Sequence, residues 1–202
     1  MTWFLPALLF AGALHVDLSD LRSYKWPIGL LATVGVLIAT SVIGTLAYYI
    51  FGLFGWHVDF IYCLLFGALI SPTDPIAVMG ILKSAGAPKP LATTIVGESL
   101  FNDGTAVVVF TILLGILQLG STPDAGTIGM LFLHEAVGGV LVGAALGYGV
   151  LLMLRSIDQY QVEVMLTLAL VFGGAALAAR LHVSGPIAMV VAGLIIGNLG
   201  RN

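Results

Sequence analysis

Charged side chains are scarce in this chain. Only 8% of its 202 residues are Asp, Glu, Lys or Arg, whereas soluble domains carry about 25%. Hydrophobic residues make up 59% of the sequence, and the mean hydropathy is +1.11. This shortage of charge excludes an ordinary soluble domain and predicts a polytopic membrane protein whose main partner is the lipid bilayer.

Cysteine and basic clusters are also lacking. The single cysteine, Cys63, has no second cysteine with which to form an internal disulfide. The sequence contains no basic stripe suited to nucleic acid and no glycine loop suited to phosphate. We therefore predict no nucleic-acid partner and no cofactor.

Long apolar intervals separate the few charges. A crossing helix needs about 20 mostly apolar residues, so these intervals predict about seven transmembrane helices. They cover residues 3–16, 27–55, 60–84 with an internal break, 90–119, 131–154, 163–181 and 184–199. In this scheme, His134 and Glu135 open the fifth helix as a cap pair.

The basic residues predict how these helices are oriented. Of the seven Lys and Arg residues, all but Arg180 fall on one face, which we assign to the cytoplasm. The short loop that carries His57 and Asp59 then lies on the outer side. We expect a multi-pass protein of the plasma membrane, and the abrupt first and last segments predict a chain that is incomplete at both ends.

The third apolar interval is broken by the sequence Ser71-Pro72-Thr73-Asp74-Pro75. Each proline removes a backbone donor and disfavours a continuous helix. Asp74 precedes Pro75 as an N-cap residue precedes a proline in the first helical position. The carbonyl groups freed by such a break are able to coordinate a cation. The alternative is a proline kink in which Asp74 does no more than cap a helix.

A second group of polar residues lies in the fourth interval, within Gly-Glu-Ser-Leu-Phe-Asn-Asp (97–103). Asp103 falls roughly 20 Å into its helix, near the middle of the bilayer. An ionisable residue there costs roughly 2.5–3.5 kcal/mol on insertion scales and marks an ion or proton pathway by default. Ser99 and Asp103 share one helix face, and Glu98 and Asn102 share the adjacent one. We predict that Ser99 and Asp103 bind one small cation and that a proton competes for Asp103.

Glu98 is interpreted differently. It lies close to Asp103 along the helix, so like-charge repulsion favours a cationic partner for it. The sequence offers no convincing basic residue inside this chain. A structural ion pair is therefore the favoured role for Glu98, and direct ion binding is the alternative.

Taken together, the motifs resemble those of a known family. The pair SPTDP (71–75) and GESLFND (97–103) resembles the sodium/proton antiporters of the monovalent cation–proton antiporter-1 family. LHVDL (14–18) and GLIIGN (193–198) extend the resemblance over essentially the whole chain. It implies an inverted-repeat fold in which residues 1–202 are a transmembrane antiporter domain, equivalent to about the third to ninth helices of a roughly thirteen-helix transporter. The implied activity is secondary active transport, not enzymatic catalysis.

The resemblance also implies roles for individual residues. Asp103 would be the carboxylate that binds Na⁺, or alternatively Li⁺ or K⁺, in exchange for H⁺. Ser99, Asp74 and the Thr73 carbonyl would be further ligands of the transported cation. Asn102 would stand in place of a second aspartate, which is associated with electroneutral exchange.

The remaining implications concern partners and selectivity. Glu98 resembles the ion-paired glutamate of the family, whose arginine lies on a helix outside this chain. The sequence Phe10-Ala11-Gly12 lacks a glutamate that many relatives carry, so Na⁺ selectivity is not carried over. Family members are commonly homodimers, which makes a homodimer a candidate assembly.

Three other functions stay open at this point. Asp74 and Asp103 are the two acids that an intramembrane aspartyl protease would need to share a proton and activate water. A channel is another alternative, although a buried carboxylate that binds protons suits exchange better than rapid permeation. The third is an inactive fragment of a transporter.

Overall fold

The computed structural model describes residues 4–74, 81, 84–86, 88–119, 124–157 and 159–200. Within these residues all regular elements are helical, which confirms the predicted all-α class. The helices are α1 (Phe4–Ala13), α2 (Leu18–Ser23), α3 (Lys25–Leu30), α4 (Val36–Leu53), α5 (Phe60–Ile70), α6 (Lys89–Leu119), α7 (Ala125–Leu154), α8 (Tyr160–Arg180) and α9 (Gly185–Leu199). A π-helical turn over Leu31–Gly35 joins α3 to α4.

Four of these helical stretches are long and apolar enough to cross a membrane. They are Lys25–Leu53, Lys89–Gln118, Ala125–Leu154 and Tyr160–Arg180. Three shorter apolar helices occupy Phe4–Ala13, Phe60–Ile70 and Gly185–Leu199. Every predicted apolar interval therefore contains a helix, and the chain is an all-α polytopic membrane protein.

The predicted start of the fifth helix is wrong. α7 begins at Ala125, so His134 and Glu135 lie more than two turns inside it and do not cap it. The cap is Asp124, whose carboxylate accepts hydrogen bonds from the backbone N–H groups of Gly126 and Thr127 at 3.1 and 3.2 Å. The apolar run starts later than the helix because small and polar residues fill its first turn.

The chain divides into two compact units. One contains residues 26–132, and the other contains residues 1–25 with 133–202. In the first, α4 and α5 pack closely through glycines: a Cβ at Gly44 would lie 3.0 Å from the Cys63 carbonyl oxygen, and one at Gly67 would meet the carbonyl oxygen of Thr40. α6 packs on α5 and on the π-helical turn. This packing places the end of α5 beside the middle of α6.

In the second unit, α9 packs against α1 through its glycine pair. A Cβ at Gly193 would lie 2.7 Å from the Phe10 carbonyl oxygen, and one at Gly197 would meet the carbonyl oxygen of Leu14. The small residues let the two helix backbones approach closely. The glycine spacing in GLIIGN therefore serves packing within this chain.

Asn198 connects the two motifs that extended the family resemblance. Its Oδ1 accepts from the Leu18 backbone N–H at 2.8 Å, and its Nδ2 donates to the Val16 carbonyl at 2.9 Å. The LHVDL segment after α1 is therefore held by the last turn of α9. In this chain the two sequences form one structural joint.

Candidate cation and proton site

The predicted break in the third span is present. α5 ends at Ile70, and the backbone from Pro72 to Asp74 is not helical. The hydroxyl of Ser71 donates to the Ala68 carbonyl at 3.3 Å, which satisfies a carbonyl left over at the helix end. The second proline and the resumption of the helix lie outside the described residues. The predicted capping role of Asp74 toward that second half therefore stays a prediction.

Thr40, on α4, contacts the end of α5 where the break begins. It is only 4% exposed, and its hydroxyl donates to the Ser71 hydroxyl at 3.4 Å. Sequence reasoning did not select Thr40, because a lone threonine in an apolar span more often bonds to its own helix. Its role depends on the close packing of α4 and α5, for which only the glycines gave a signal.

Thr73 crosses from the broken segment to α6. Its Oγ1 lies 2.8 Å from Ser99 Oγ and 3.1 Å from Glu98 Oε2, and it accepts from Asn102 Nδ2 at 2.9 Å. Asn102 Nδ2 also donates to Glu98 Oε1 at 2.7 Å, and Ser99 Oγ lies 3.4 Å from Glu98 Oε2. We call these four side chains, Thr73, Glu98, Ser99 and Asn102, the Glu98 network.

The proton donors of the Glu98 network all lead to one carboxylate. As a carboxylate, Glu98 only accepts hydrogen bonds, so the atom of Asn102 that faces it must be the amide nitrogen. Thr73 Oγ1 accepts a hydrogen bond from that amide, and its own hydroxyl donates a hydrogen bond to Ser99 or to Glu98. Whichever way the two hydroxyl protons point, each chain of donors ends on Glu98. The network is therefore directional and holds the broken segment against α6.

One atom of the Glu98 network has a spare acceptor position. Asn102 is fully buried, and among the described residues its Oδ1 has no hydrogen-bond partner. A buried carbonyl oxygen without a donor is costly unless it meets water or a cation. Since both amide protons are used on Thr73 and Glu98, this oxygen is the part of Asn102 left for a ligand.

Asp103 lies next to the Glu98 network without taking part in its hydrogen bonds. Its side chain is partly buried on α6, and the carboxylates of Asp74 and Glu98 are close enough to act on its charge. Asp74 itself is exposed. The structure thus brings together the acids and hydroxyls that the sequence selected, and the acid chosen as the ion carrier takes no part in the hydrogen bonds of the Glu98 network.

Two predicted details concern Thr73 and Glu98. The resemblance implies that the Thr73 carbonyl is a cation ligand, and this stays a prediction; the Thr73 contacts described here are those of its hydroxyl. In the described part of the chain, the partners of the Glu98 carboxylate are uncharged donors. The predicted ion pair with an arginine, which was expected outside this chain, stays a prediction.

Oxygen-bearing side chains are the possible ion ligands at this site. Within the described ranges no group of three or more His, Cys, Asp or Glu side chains is arranged to hold a metal ion. The Glu98 network and Asp74 offer hydroxyl, amide and carboxylate oxygens, which are ligands for hard cations.

Sequence comparison decides the family. The whole chain, residues 1–202, matches the family described as "Sodium/hydrogen exchanger, transmembrane". The chain belongs to this family. It is 84% identical over 202 residues to the Na⁺/H⁺ antiporter NhaP of Pseudomonas aeruginosa, a match that covers 100% of the chain and 48% of that protein.

More distant members of the sodium/hydrogen exchanger family align over most of the chain as well. The Na⁺/H⁺ antiporter NhaH of Halobacillus dabanensis is 41% identical over 201 residues, covering 98% of the chain and 48% of that relative. Sodium/hydrogen exchanger 7 of Arabidopsis thaliana is 40% identical over 167 residues, covering 82% of the chain and 14% of that protein. The chain spans about half the length of the first two relatives.

Proposed function

We propose that the protein containing this chain is a secondary active transporter that exchanges a monovalent cation for H⁺, with Asp103 as the shared carboxylate. The observation that carries the proposal is the position of Asp103 on α6, beside the Glu98 network and outside its hydrogen bonds. An ionisable residue deep in a crossing helix lowers the stability of the inserted protein. Such a residue therefore marks an ion or proton pathway by default. Both bacterial relatives are named Na⁺/H⁺ antiporters, which favours Na⁺ as the cation.

The cation would be held by oxygen atoms from the broken segment and from α6. Asp103 supplies the negative charge, and Ser99 and Thr73 supply hydroxyl oxygens that lie 2.8 Å from each other. Asp74 adds a second carboxylate near Asp103. Li⁺ and K⁺ are alternative cargo, since the ligand types do not distinguish among monovalent cations and the chain has Ala11 where many relatives carry glutamate.

In the proposed exchange, Glu98 has a structural role and Asp103 binds the ion or the proton. Every chain of hydrogen-bond donors in the network ends on Glu98, so its charge is used to hold α6 and the broken segment together. Asp103 is left with one charge that either a proton or a cation neutralises. Release of one on binding of the other couples the two fluxes, and a one-for-one exchange moves no net charge.

The rival functions receive less support. An intramembrane aspartyl protease would use Asp74 and Asp103, but the relatives are named as antiporters. The inactive-fragment alternative concerns residues 1–202 by themselves, because alternating access needs two repeats around the site. We propose a multi-pass protein of the plasma membrane, with a homodimer as the candidate assembly.

The test is cation-dependent collapse of an imposed pH gradient in vesicles. The longest reading frame that contains this chain is reconstituted and challenged with Na⁺, Li⁺ and K⁺ in turn. We expect one or more of these cations to collapse the gradient and Asp103→Asn to abolish the effect. Thr105→Val is the control, because Thr105 is buried on the same helix but donates only to the Phe101 carbonyl, at 3.1 Å. Activity that survives in Asp103→Asn would remove Asp103, and with it this account of the site.

A further inference from the structure

A concave site lies at the loop between α4 and α5, at the opposite end of α5 from the Glu98 network. The ends of the two helices and the loop enclose an open cavity of about 570 Å³. Its aromatic and polar lining consists of Tyr48, Tyr49, Trp56, His57, Asp59 and Phe60. We call this site the aromatic pocket. None of its residues has a role in the proposed exchange.

The wall of the aromatic pocket is fixed by the way α4 ends. Gly55 has a φ of 75°, which a residue with a side chain rarely adopts, and its N–H donates to the Gly52 carbonyl at 3.0 Å. The Trp56 N–H reaches back to the Phe51 carbonyl at 2.9 Å. These two bonds form a Schellman motif, which satisfies the last carbonyls of α4. The position of Trp56 is therefore set by the helix end.

The aromatic rings stand edge to face around the pocket. The Tyr48 centroid lies 5.6 Å from that of Phe60, with the ring planes at 89°, and 5.9 Å from that of Tyr49, with the planes at 71°. Tyr49 and Trp56 keep 65% and 62% of their surface exposed. Trp56 also packs against Phe51 and Phe54, with ring centroids 5.8 and 6.2 Å apart. The exposed part of each ring is available to a ligand, and the negative face of an aromatic ring attracts an ammonium group.

Asp59 adds a charge of the matching sign. It occupies the N-cap position of α5 and is exposed, but its side chain makes no capping hydrogen bond. A carboxylate beside exposed aromatic rings is the arrangement that recognises an organic ammonium ion. The hydroxyl groups of Tyr48 and Tyr49 and the ring of His57 line the same cavity and are able to donate to a phosphate.

The location of the aromatic pocket identifies the source of the ammonium group. Leu53 and Phe54 flank it and are 87% and 73% exposed, at the end of the 29-residue apolar stretch Lys25–Leu53. Large apolar groups at the end of a span meet lipid, and Tyr and Trp are enriched at this level of a membrane. The nearest molecule that carries both an ammonium and a phosphate there is a phospholipid.

We propose that the aromatic pocket binds the headgroup of a phospholipid with a primary ammonium group, such as phosphatidylethanolamine. Asp59 pairs with the ammonium, the rings of Tyr49 and Trp56 face it, and the Tyr48 hydroxyl and His57 donate to the phosphate. By the distribution of basic residues, this is the outer leaflet. The proposal stands on the geometry of the α4–α5 loop alone and does not depend on ion exchange.

The test measures lipid retained by the full-length protein. The protein is purified in detergent and incubated with phosphatidylethanolamine or with phosphatidylglycerol, and bound lipid is counted by native mass spectrometry. We expect preferential retention of phosphatidylethanolamine. Asp59→Asn and Trp56→Leu should each weaken it at least about fivefold, since each removes one ammonium contact. Asp59→Glu should retain most of the binding, because it keeps the charge.

The controls separate binding from folding and from other amines. Tyr160→Leu removes an aromatic residue that is 79% exposed on α8 and should leave retention unchanged. The melting temperature in lipid-free detergent should be the same for Asp59→Asn and the wild type. Equal retention of phosphatidylethanolamine by Asp59→Asn, or equal retention of phosphatidylglycerol by the wild type, would overturn the proposal. So would soluble phosphoethanolamine that binds as tightly as the lipid.

Discussion

Asn102 donates from Nδ2 to Oε1 of Glu98, one turn earlier on α6, at 2.7 Å. This bond fixes which end of the amide points toward the carboxylate, since Glu98 only accepts. It also leaves Asn102 Oδ1 buried and without a described hydrogen-bond partner, so this oxygen is the part of the amide left for a ligand. This hydrogen bond therefore distinguishes the structural acid, Glu98, from Asp103, the acid that is proposed to carry the ion.

Asn102→Leu should lower the stability of the protein and not only its transport rate. The substitution removes both donors of the amide and leaves the buried side of Glu98 short of a partner, a loss of about 1–3 kcal/mol. The melting temperature of the purified protein, measured by differential scanning fluorimetry in detergent, reports the change. Thr111→Val is the matched control, because Thr111 lies on the same helix, is exposed, and donates only to the Val107 carbonyl at 2.9 Å. A melting temperature of Asn102→Leu equal to that of the control would contradict the network.

Thr73 and Ser99 should act as one unit. Thr73→Val and Ser99→Ala each break the contact between their hydroxyls, so the double variant should lose less than the sum of the two single losses. The expected coupling energy is about 0.5–3 kcal/mol. It is measured as a double-mutant cycle on the apparent affinity for the cation in vesicles. Strict additivity would mean that the 2.8 Å contact between these hydroxyls has no part in cation binding.

The joint between α1 and α9 should not tolerate a methyl group. Gly197→Ala places a Cβ against the Leu14 carbonyl, and overpacking of this kind costs roughly 1–3 kcal/mol. Gly149→Ala is the matched control, because no atom lies within 4 Å of the Cβ it would add. Thermal unfolding should show a lower melting temperature for Gly197→Ala and an equal or higher one for Gly149→Ala. The opposite order would show that the close approach of these helices is not required.

Much of the fold could be predicted because apolar runs and bilayer thickness constrain each other. The break after Ile70 could also be predicted, since two prolines in an apolar interval do not fit a continuous helix. The start of α7 could not be found from the apolar run alone. Its real signal is local: Asp124 stands three residues before Thr127, as a capping residue does.

The candidate site was partly predictable for a similar reason. Glu98 and Asn102 are four residues apart on one helix, so their contact follows from helical geometry. The contacts of Thr73 do not, because they join segments 25 to 29 residues apart and depend on how α5 packs against α6. Motif spacing selected the correct residues but not the atoms that meet.

The cap of α7 should show a defined pH dependence. Hydrogen bonds from the side chain and backbone of Thr127 hold the pKa of Asp124 below its usual range. The charged form is therefore the one that stabilises the folded state. This contribution is complete above the ordinary aspartate pKa and is lost as the pH falls through the lowered value. The melting temperature of Asp124→Ala should lie below that of the wild type at neutral pH, and the gap should close in strong acid. A gap that is constant with pH would exclude a charged cap.

The central claim is that one carboxylate, Asp103, holds either a proton or a cation. Proton release on addition of Na⁺ to the purified full-length protein in weakly buffered detergent solution tests it most directly. We predict release of about one proton per bound cation, because a ligand must lose its proton to bind the ion. Asp103→Asn should release none, while Thr105→Val should behave as the wild type does. Undiminished proton release from Asp103→Asn would contradict the account.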